Sequence, residues 1–284
     1  MNLEEQLKKP LSNQEASFYL NSANLEANIE FIIKNKIESI TLISNENGYN
    51  LKNIEFLKEI PFIKELHMGG CTELQNYEGL LYLKELEMLV FTPDKRISVD
   101  LSNLVNLDYL GFSYSSKIYG LDKLINLRTL GIGNATDDFF KIEIFKNYKK
   151  LENLKITRSI IGSGLSFLKD NTKLESIEFN YMKRAFSIEG IQYLKDNLKK
   201  LNFSSSKKID NIHLVSQLVN LESLGFIESV KLENAKILEP LKKLKAFGMY
   251  GSSSFIDGNL TSLKEMRDTI EHFKIQNKKH YFYE

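Results

Sequence analysis

A single cysteine, Cys71, in a chain of 284 residues excludes an internal disulfide framework and suits a reducing compartment. Charge of one sign is lacking too. Against 38 basic residues stand 37 acidic ones, a formal net charge of +1, so no whole-molecule field steers the chain toward nucleic acid or an anionic membrane. The amino-terminal MNLEEQLKKPLSNQE has no apolar core of a secretory signal, and no apolar run reaches the roughly 20 residues of a membrane-spanning helix. These absences predict a soluble cytoplasmic protein with neither a membrane nor a nucleic-acid partner. The abundance of Lys, Asn, Ile and Glu suits an AT-rich bacterial genome.

Catalytic and metal-binding patterns are equally scarce. His67, His213, His272 and His280 are scattered, none at ligand spacing with Cys, Asp or Glu, so no metal and no cofactor is expected. Neither Gly69-Gly70 nor Gly131-x-Gly133 opens a phosphate loop. Cys71 follows His67 by four residues, which admits a thiol nucleophile with a nearby base; a buried inert cysteine is the structural alternative. Lys149-Lys150, Lys199-Lys200 and Lys207-Lys208 are dispersed pairs that solvated faces explain, not a basic stripe.

What the sequence does contain is repetition. Leu107-x-x-Leu110-x-Phe112 recurs as Leu127-x-x-Leu130-x-Ile132, with Ile118, Leu121 and Leu124 between the two. Further copies begin at Ile37, Ile63, Leu86, Leu151, Leu174, Leu198, Leu221 and Leu244, ten in all, at intervals of 20 to 26 residues. Each copy alternates apolar and polar residues, as a strand with one inward face does. The return segments vary. Ile188, Ile191 and Leu194, like Ile142, Phe145 and Tyr148, suggest a helical turn or more, whereas the shortest intervals leave room only for a 3₁₀ turn. Self-similarity of this period with L-x-x-L-x-L marks a stacked leucine-rich-repeat solenoid. The expected fold class is α/β: a curved arc with a parallel concave β-sheet, short helical or 3₁₀ convex returns, and helical caps at both ends.

Outside the repeats, Ser12-x-x-Glu15 has the form of a capping box, but Phe18 and Leu20 stand where a repeat's fourth and sixth residues would, which favours a short first strand. Leu25, Ile29, Ile32 and Ile33 predict an amphipathic helix over 24–35. Leu260, Leu263, Met266 and Ile270 predict a closing helix over 260–275, with the aromatics of KKHYFYE folded back on it. The organisation read from this is 1–36 as an amino-terminal segment and capping helix, 37–258 as repeats, and 259–284 as a carboxy-terminal helix and tail.

The pattern over 37–250 resembles the short SDS-type and internalin-like leucine-rich repeats, which implies a right-handed solenoid that binds proteins without catalytic machinery. That resemblance places Asn or Cys at the ninth position, as a ladder bonding neighbouring backbone. Here the column reads Asn45, Cys71, Asp94, Ser115, Ala135, Ser159, Met182, Ser206, Ser229 and Ser252. Serine can donate and accept, but Ala135 and Met182 cannot, so irregular turns are expected there. The second position is charged throughout with mixed sign, from Glu38 and Lys64 to Glu222 and Lys245, and reads as a soluble edge. Gly111, Gly131, Gly225 and Gly248 share the fifth position, either for curvature and close packing or as a floor that a partner's backbone approaches.

One constellation suggests a binding site. The eighth column carries Tyr114, Asn134, Arg158 and Tyr181 in consecutive repeats beside the small polar Ser113, Gly133, Thr157 and Asn180. Tyr109, Arg128, Lys155 and Glu178 join it from the strands; Tyr and Arg are the residues most enriched at interface hot spots. Partner binding is therefore assigned to Tyr109, Tyr114, Arg128, Lys155, Arg158, Glu178 and Tyr181. The function expected is non-enzymatic binding of a protein partner on the concave face, by a chain that is monomeric when unbound, as an inhibitor or toxin-neutralising immunity protein. The alternatives are a regulatory scaffold or delivered effector and, from another class, a Cys71-dependent enzyme.

Overall fold

A computed structural model describes residues 7–8, 17–43, 50–71, 73–206, 208–228 and 230–283. The chain divides into two compact units, Met1–Thr129 and Leu130–Glu284. The capping-box residues Ser12 and Glu15, and the ladder residues Asn45 and Ser229, lie outside the described residues.

In the first unit the strands Ser17–Tyr19, Ser39–Ile43, Glu65–Gly69, Met88–Phe91 and Tyr109–Ser113 lie side by side and parallel, with Leu7–Lys8 added antiparallel to the first. Ile40, Leu66, Leu89 and Leu110, all fourth residues of the motif, stand in one row of the register. Leu42, Met68, Phe91 and Phe112, the sixth residues, form the next row. All eight are buried, so alternate side chains of each strand enter the core, as the period of two requires. Phe18 and Leu20 are buried as well, and the short first strand is present.

The helix Leu25–Asn35 matches its expected bounds. It buries Ile29 and Ile32, leaves Ile33 exposed, and ends at Lys36 in the left-handed region with φ 50°. Buried Asn28 ties it down: the carboxamide oxygen accepts from Asn21 N and its nitrogen donates to Asn24 O. On the returns of this unit run the 3₁₀ turns Glu55–Glu59, Glu78–Tyr82 and Leu121–Lys123.

The strand Thr129–Gly133 starts on the last residue of the first unit. In the second unit Asn153–Thr157, Ser176–Asn180, Lys200–Ser204, Ser223–Ile227, Ala246–Tyr250 and His272–Ile275 are parallel neighbours. Their sixth residues include a stack of phenylalanines: Phe179 and Phe203 have ring centroids 5.4 Å apart, and Phe203 and Phe226 5.6 Å, with interplanar angles of 11° and 3°. Offset stacking of this kind adds about 0.5–1.5 kcal/mol per pair beyond area burial.

The returns here are tighter than the spacing suggested. Ile191–Leu194 and Glu143–Asn147 are 3₁₀ turns, and Ile142 is exposed. The α-helical turn lies earlier, at Asp137–Lys141, where Phe139 and Phe140 pack with Phe145 and Phe167.

The expected helix over 260–275 is corrected. A 3₁₀ turn, Thr261–Leu263, leads into a helix that ends at Thr269, and His272–Ile275 is a strand paired parallel with Ala246–Tyr250. Ile270-x-x-Phe273-x-Ile275 is thus an eleventh copy of the motif, 26 residues after Leu244. The aromatics of the tail do fold back. Arg267 of the helix lies 5.7 Å from the Tyr283 ring centroid, and the Tyr281 hydroxyl accepts from Phe255 N at 3.0 Å.

Candidate functional site

The turn after each strand decides where the candidate residues sit. Asn134, Arg158 and Tyr181 have φ of 57°, 49° and 53°, and Ser205 and Glu228 continue the series at 51° and 58°. Non-glycine residues reach this left-handed region at a cost of roughly 1–2 kcal/mol each. The offset is visible. The amide of each donates to the seventh-position carbonyl of the following repeat: Asn134 to Thr157, Arg158 to Asn180, Tyr181 to Ser204, Ser205 to Ile227 and Glu228 to Tyr250, at 2.7–3.1 Å. The eighth column therefore belongs to a row of turns at the carboxyl ends of the strands, not to the strands.

The ninth column lies directly beneath. The Cys71 thiol donates toward Leu42 O at 3.5 Å, and the Ser206 hydroxyl toward Phe179 O at 3.5 Å; both acceptors are sixth-position carbonyls of the preceding repeat. Ser159 donates to Thr157 O and accepts from Ala135 N, each at 3.0 Å. The expected irregularity at Ala135 and Met182 is overturned. Both are buried, and the turns before them keep the common left-handed geometry because its bonds come from backbone. In the last copy assigned from sequence the ladder residue is Ser253, not Ser252. Ser253 is fully buried and its hydroxyl accepts from Val230 N, whereas Ser252 is exposed.

The sequence-assigned residues are distributed as follows. In the first unit Tyr109 is half-buried on the strand face, its ring edge over Gly111; Tyr114 follows that strand, half-buried; and Arg128 is exposed, its Nε 3.3 Å from Asp108 Oδ1. In the second unit two pairs form. Lys155 Nζ and Glu178 Oε2 are 3.4 Å apart on neighbouring strands, and the Arg158 guanidinium lies 5.9 Å from the ring centroid of Tyr181, itself 56% exposed. Of the fifth-position glycines, Gly225 and Gly248 are covered rather than bare. A Cβ on Gly248 would meet the Tyr250 ring at 2.5 Å, and one on Gly225 would meet Asn202 Oδ1 at 2.3 Å. Close packing of side chains across the strand face is their role.

Two contributions were missed from sequence. Asn106, Asn126 and Asn220 each precede the first leucine of a copy, and their carboxamides donate to return-segment carbonyls of the repeat before, Lys84 O, Val105 O and Lys195 O. The recurring V/I-N-L was the available signal. The charged second column is also internally matched, with Glu38–Lys64, Asp108–Arg128, Glu175–Lys199 and Glu222–Lys245 at 2.7–3.3 Å across adjacent repeats. Such exposed pairs contribute about 0–1 kcal/mol each.

Among the described residues the Cys71 thiol donates only to backbone carbonyls, those of Leu42 and Gly69. The thiol is buried and points inward, and burial pushes it up to about 11. His67 sits on the opposite, outer side of its strand, its basicity lowered by burial. A thiol held up in this way is mostly protonated at neutral pH, which disfavours a nucleophilic role. We expect Cys71→Ser to shift stability by no more than about 1–2 kcal/mol, since serine can donate to the same carbonyl. A thiol-reactive probe at pH 7 should label the unfolded chain promptly and the native chain hardly at all. Stoichiometric labelling of native protein would restore the nucleophile.

Among the described residues no group of three or more His, Cys, Asp or Glu could hold a metal ion, and no helix is long and apolar enough to cross a membrane.

No protein-family model matches this sequence, and no curated protein does. Solved structures do match, 202 chains in all. One is an internalin, inlF, from Listeria monocytogenes, with TM-score 0.57 and 19% identity, covering 77% of this chain and 62% of the internalin. Another is TLR13 in a complex with ssRNA13, with TM-score 0.52 and 17% identity, covering 82% of this chain and 38% of that one. This chain thus spans less than two thirds of the length of either. At these identities the likeness is one of fold, and the fold is a leucine-rich-repeat solenoid of short, internalin-like repeats.

Proposed function

We propose that this chain is a non-enzymatic protein-binding module of a bacterial cytoplasm, monomeric until it meets its partner, that acts as an inhibitor or toxin-neutralising immunity protein. The observation that carries the reading is the exposed Arg158–Tyr181 pair, an arginine against an aromatic face on backbone fixed by inter-repeat hydrogen bonds. Tyr and Arg dominate interface hot spots, and a rigid platform loses little conformational freedom on binding. Lys155 and Glu178 flank the pair from the strand face; Tyr109, Tyr114 and Arg128 are proposed as contacts of the first unit taken by itself.

The test is affinity capture of the natural partner followed by titration of single variants. Arg158→Ala, Tyr181→Ala and Tyr114→Ala should each weaken binding by about tenfold or more, equivalent to about 1.4 kcal/mol. Lys123→Ala and Lys195→Ala, on the return segments, should change it little. Loss of binding in those two, with all three turn variants neutral, would overturn the assignment.

A further inference from the structure

The two rims of the sheet are electrically unlike. Along the rim of second-position residues, lysine or arginine is matched by a carboxylate one repeat away, as at Glu175–Lys199 and Glu222–Lys245. Along the rim of turns in the second unit the matching stops in two adjacent repeats. Arg158 in one turn and Lys183 and Arg184 in the next are exposed, and among the described residues none has a carboxylate within ion-pair reach. The described lysines of the following turns are engaged: Lys208 pairs with Asp210 at 3.0 Å, and Lys231 donates to Ser252 O and Ser254 Oγ. Tyr181, against the Arg158 guanidinium and in the same turn as Lys183 and Arg184, is 56% exposed.

We propose that this short ridge, Arg158, Tyr181, Lys183 and Arg184, is the recognition edge for an acidic segment of the partner protein, an extended stretch carrying two or three carboxylates beside an apolar or aromatic residue. The inference rests on the protein-binding reading and specifies its chemistry. Guanidinium groups take carboxylates bidentately, and the Tyr181 face accepts the flat or apolar residue between them. The ridge lacks the extent that a nucleic acid would use. Parallel strands repeat at about 4.8 Å, so two turns offer roughly one such step of unmatched positive charge. The turn before it carries Asp137 and Asp138; in the turn after it Lys208 is paired with Asp210, and one repeat further the Glu228 carboxylate accepts from Ser252 N. A phosphate backbone running past the ridge would meet those carboxylates, whereas an acidic cluster in a protein can end where the cations end.

The experiment uses the full chain and a fluorescein-labelled dodecapeptide alternating Glu with Tyr and Gly, measured by anisotropy at low and physiological salt. Controls are the same peptide with Gln for Glu and a twelve-nucleotide single-stranded RNA. The Glu peptide should bind, and the Gln peptide at least about tenfold more weakly. Raising the salt should weaken Glu-peptide binding. The triple variant Arg158→Glu/Lys183→Glu/Arg184→Glu should abolish binding, while Lys195→Glu leaves it unchanged. Should the triple variant fail to fold by circular dichroism, Lys183→Gln/Arg184→Gln replaces it, with at least about a fivefold loss expected. Equal affinity for the Glu and Gln peptides, tighter binding of the RNA, or indifference to charge reversal would each overturn the proposal. The captured partner separates the two readings. If it is lost on Tyr109→Ala or Lys155→Ala but not on charge reversal of the ridge, protein binding stands and the acidic-segment inference falls. If neither set of changes affects it, both fall.

Discussion

Replacing Gly79 by alanine is expected to destabilise the protein by about 3 kcal/mol or more, the upper end of what overpacking a core costs. Gly79 is buried in the 3₁₀ turn Glu78–Tyr82, and a Cβ built on it would lie 2.0 Å from Ile54 O and 2.6 Å from Ile54 C. The obstacle is backbone, so no rotamer change relieves it. Ile54 O also accepts from Leu57 N at 3.1 Å, the bond that opens the 3₁₀ turn Glu55–Glu59 on the preceding return. To admit a methyl group, either that bond or the stacking of the two returns must yield. The backbone of Gly79 is not left-handed, so conformational strain plays no part. Gly111→Ala is the control, because there a Cβ would meet only the Tyr109 and Val90 side chains at 3.4 Å, ordinary contact. It should cost about 1 kcal/mol or less. Equal urea midpoints for the two variants would show that the returns are not packed through Gly79.

The same contrast between backbone and side chain explains what could be read in advance. The fourth and sixth positions were legible because a strand's period of two forces every apolar residue of the motif to one side. Ile40, Leu66, Leu89 and Leu110 stand opposite one another without a slip. The eleventh copy was hidden by an ambiguity of spacing. Ile270 is four residues after Met266, as in a helix, and three before Phe273, as in a repeat. The alternation of Phe273 and Ile275 with His272, Lys274 and Gln276 was the signal for a strand, and four residues of it compete weakly with the preceding helical period.

The candidate site was legible in composition but not in geometry. Asn134 is an ordinary occupant of left-handed backbone; Arg158 and Tyr181 are not, and nothing in their side chains announces it. They hold that conformation because their amides reach Asn180 O and Ser204 O in the next repeat. That constraint belongs to the stack, so the sequence suggested a patch on the concave face, whereas the structure puts its eighth column in turns at the carboxyl ends of the strands. Lys183 and Arg184 escaped notice for a related reason. Their charge stands out only once Lys208 and Lys231 of the following turns are seen with their partners.

Truncating Leu154 or Leu110 to alanine should cost about 2–5 kcal/mol, the lost transfer energy of the side chain plus the cavity left behind. Leu154 is 2% exposed on the strand Asn153–Thr157, opposite Ile177, and Leu110 is fully buried opposite Leu89. Each fills a row whose other members are fixed by the parallel register, so the surroundings can collapse onto the gap only by bending the ladder. That restraint favours the upper half of the range. In a stacked-repeat protein the loss also weakens the interfaces on either side, so the damage should propagate to neighbouring repeats. Lys155→Ala supplies the internal comparison. It is adjacent in sequence but exposed on the opposite face, in an ion pair with Glu178 of the kind that contributes about 0–1 kcal/mol. Urea unfolding followed by circular dichroism should show a midpoint markedly lower for Leu154→Ala and Leu110→Ala, and nearly unchanged for Lys155→Ala. A wild-type midpoint for both leucine variants, or a loss in Lys155→Ala to match theirs, would mean that the inward and outward faces of the strands have been exchanged.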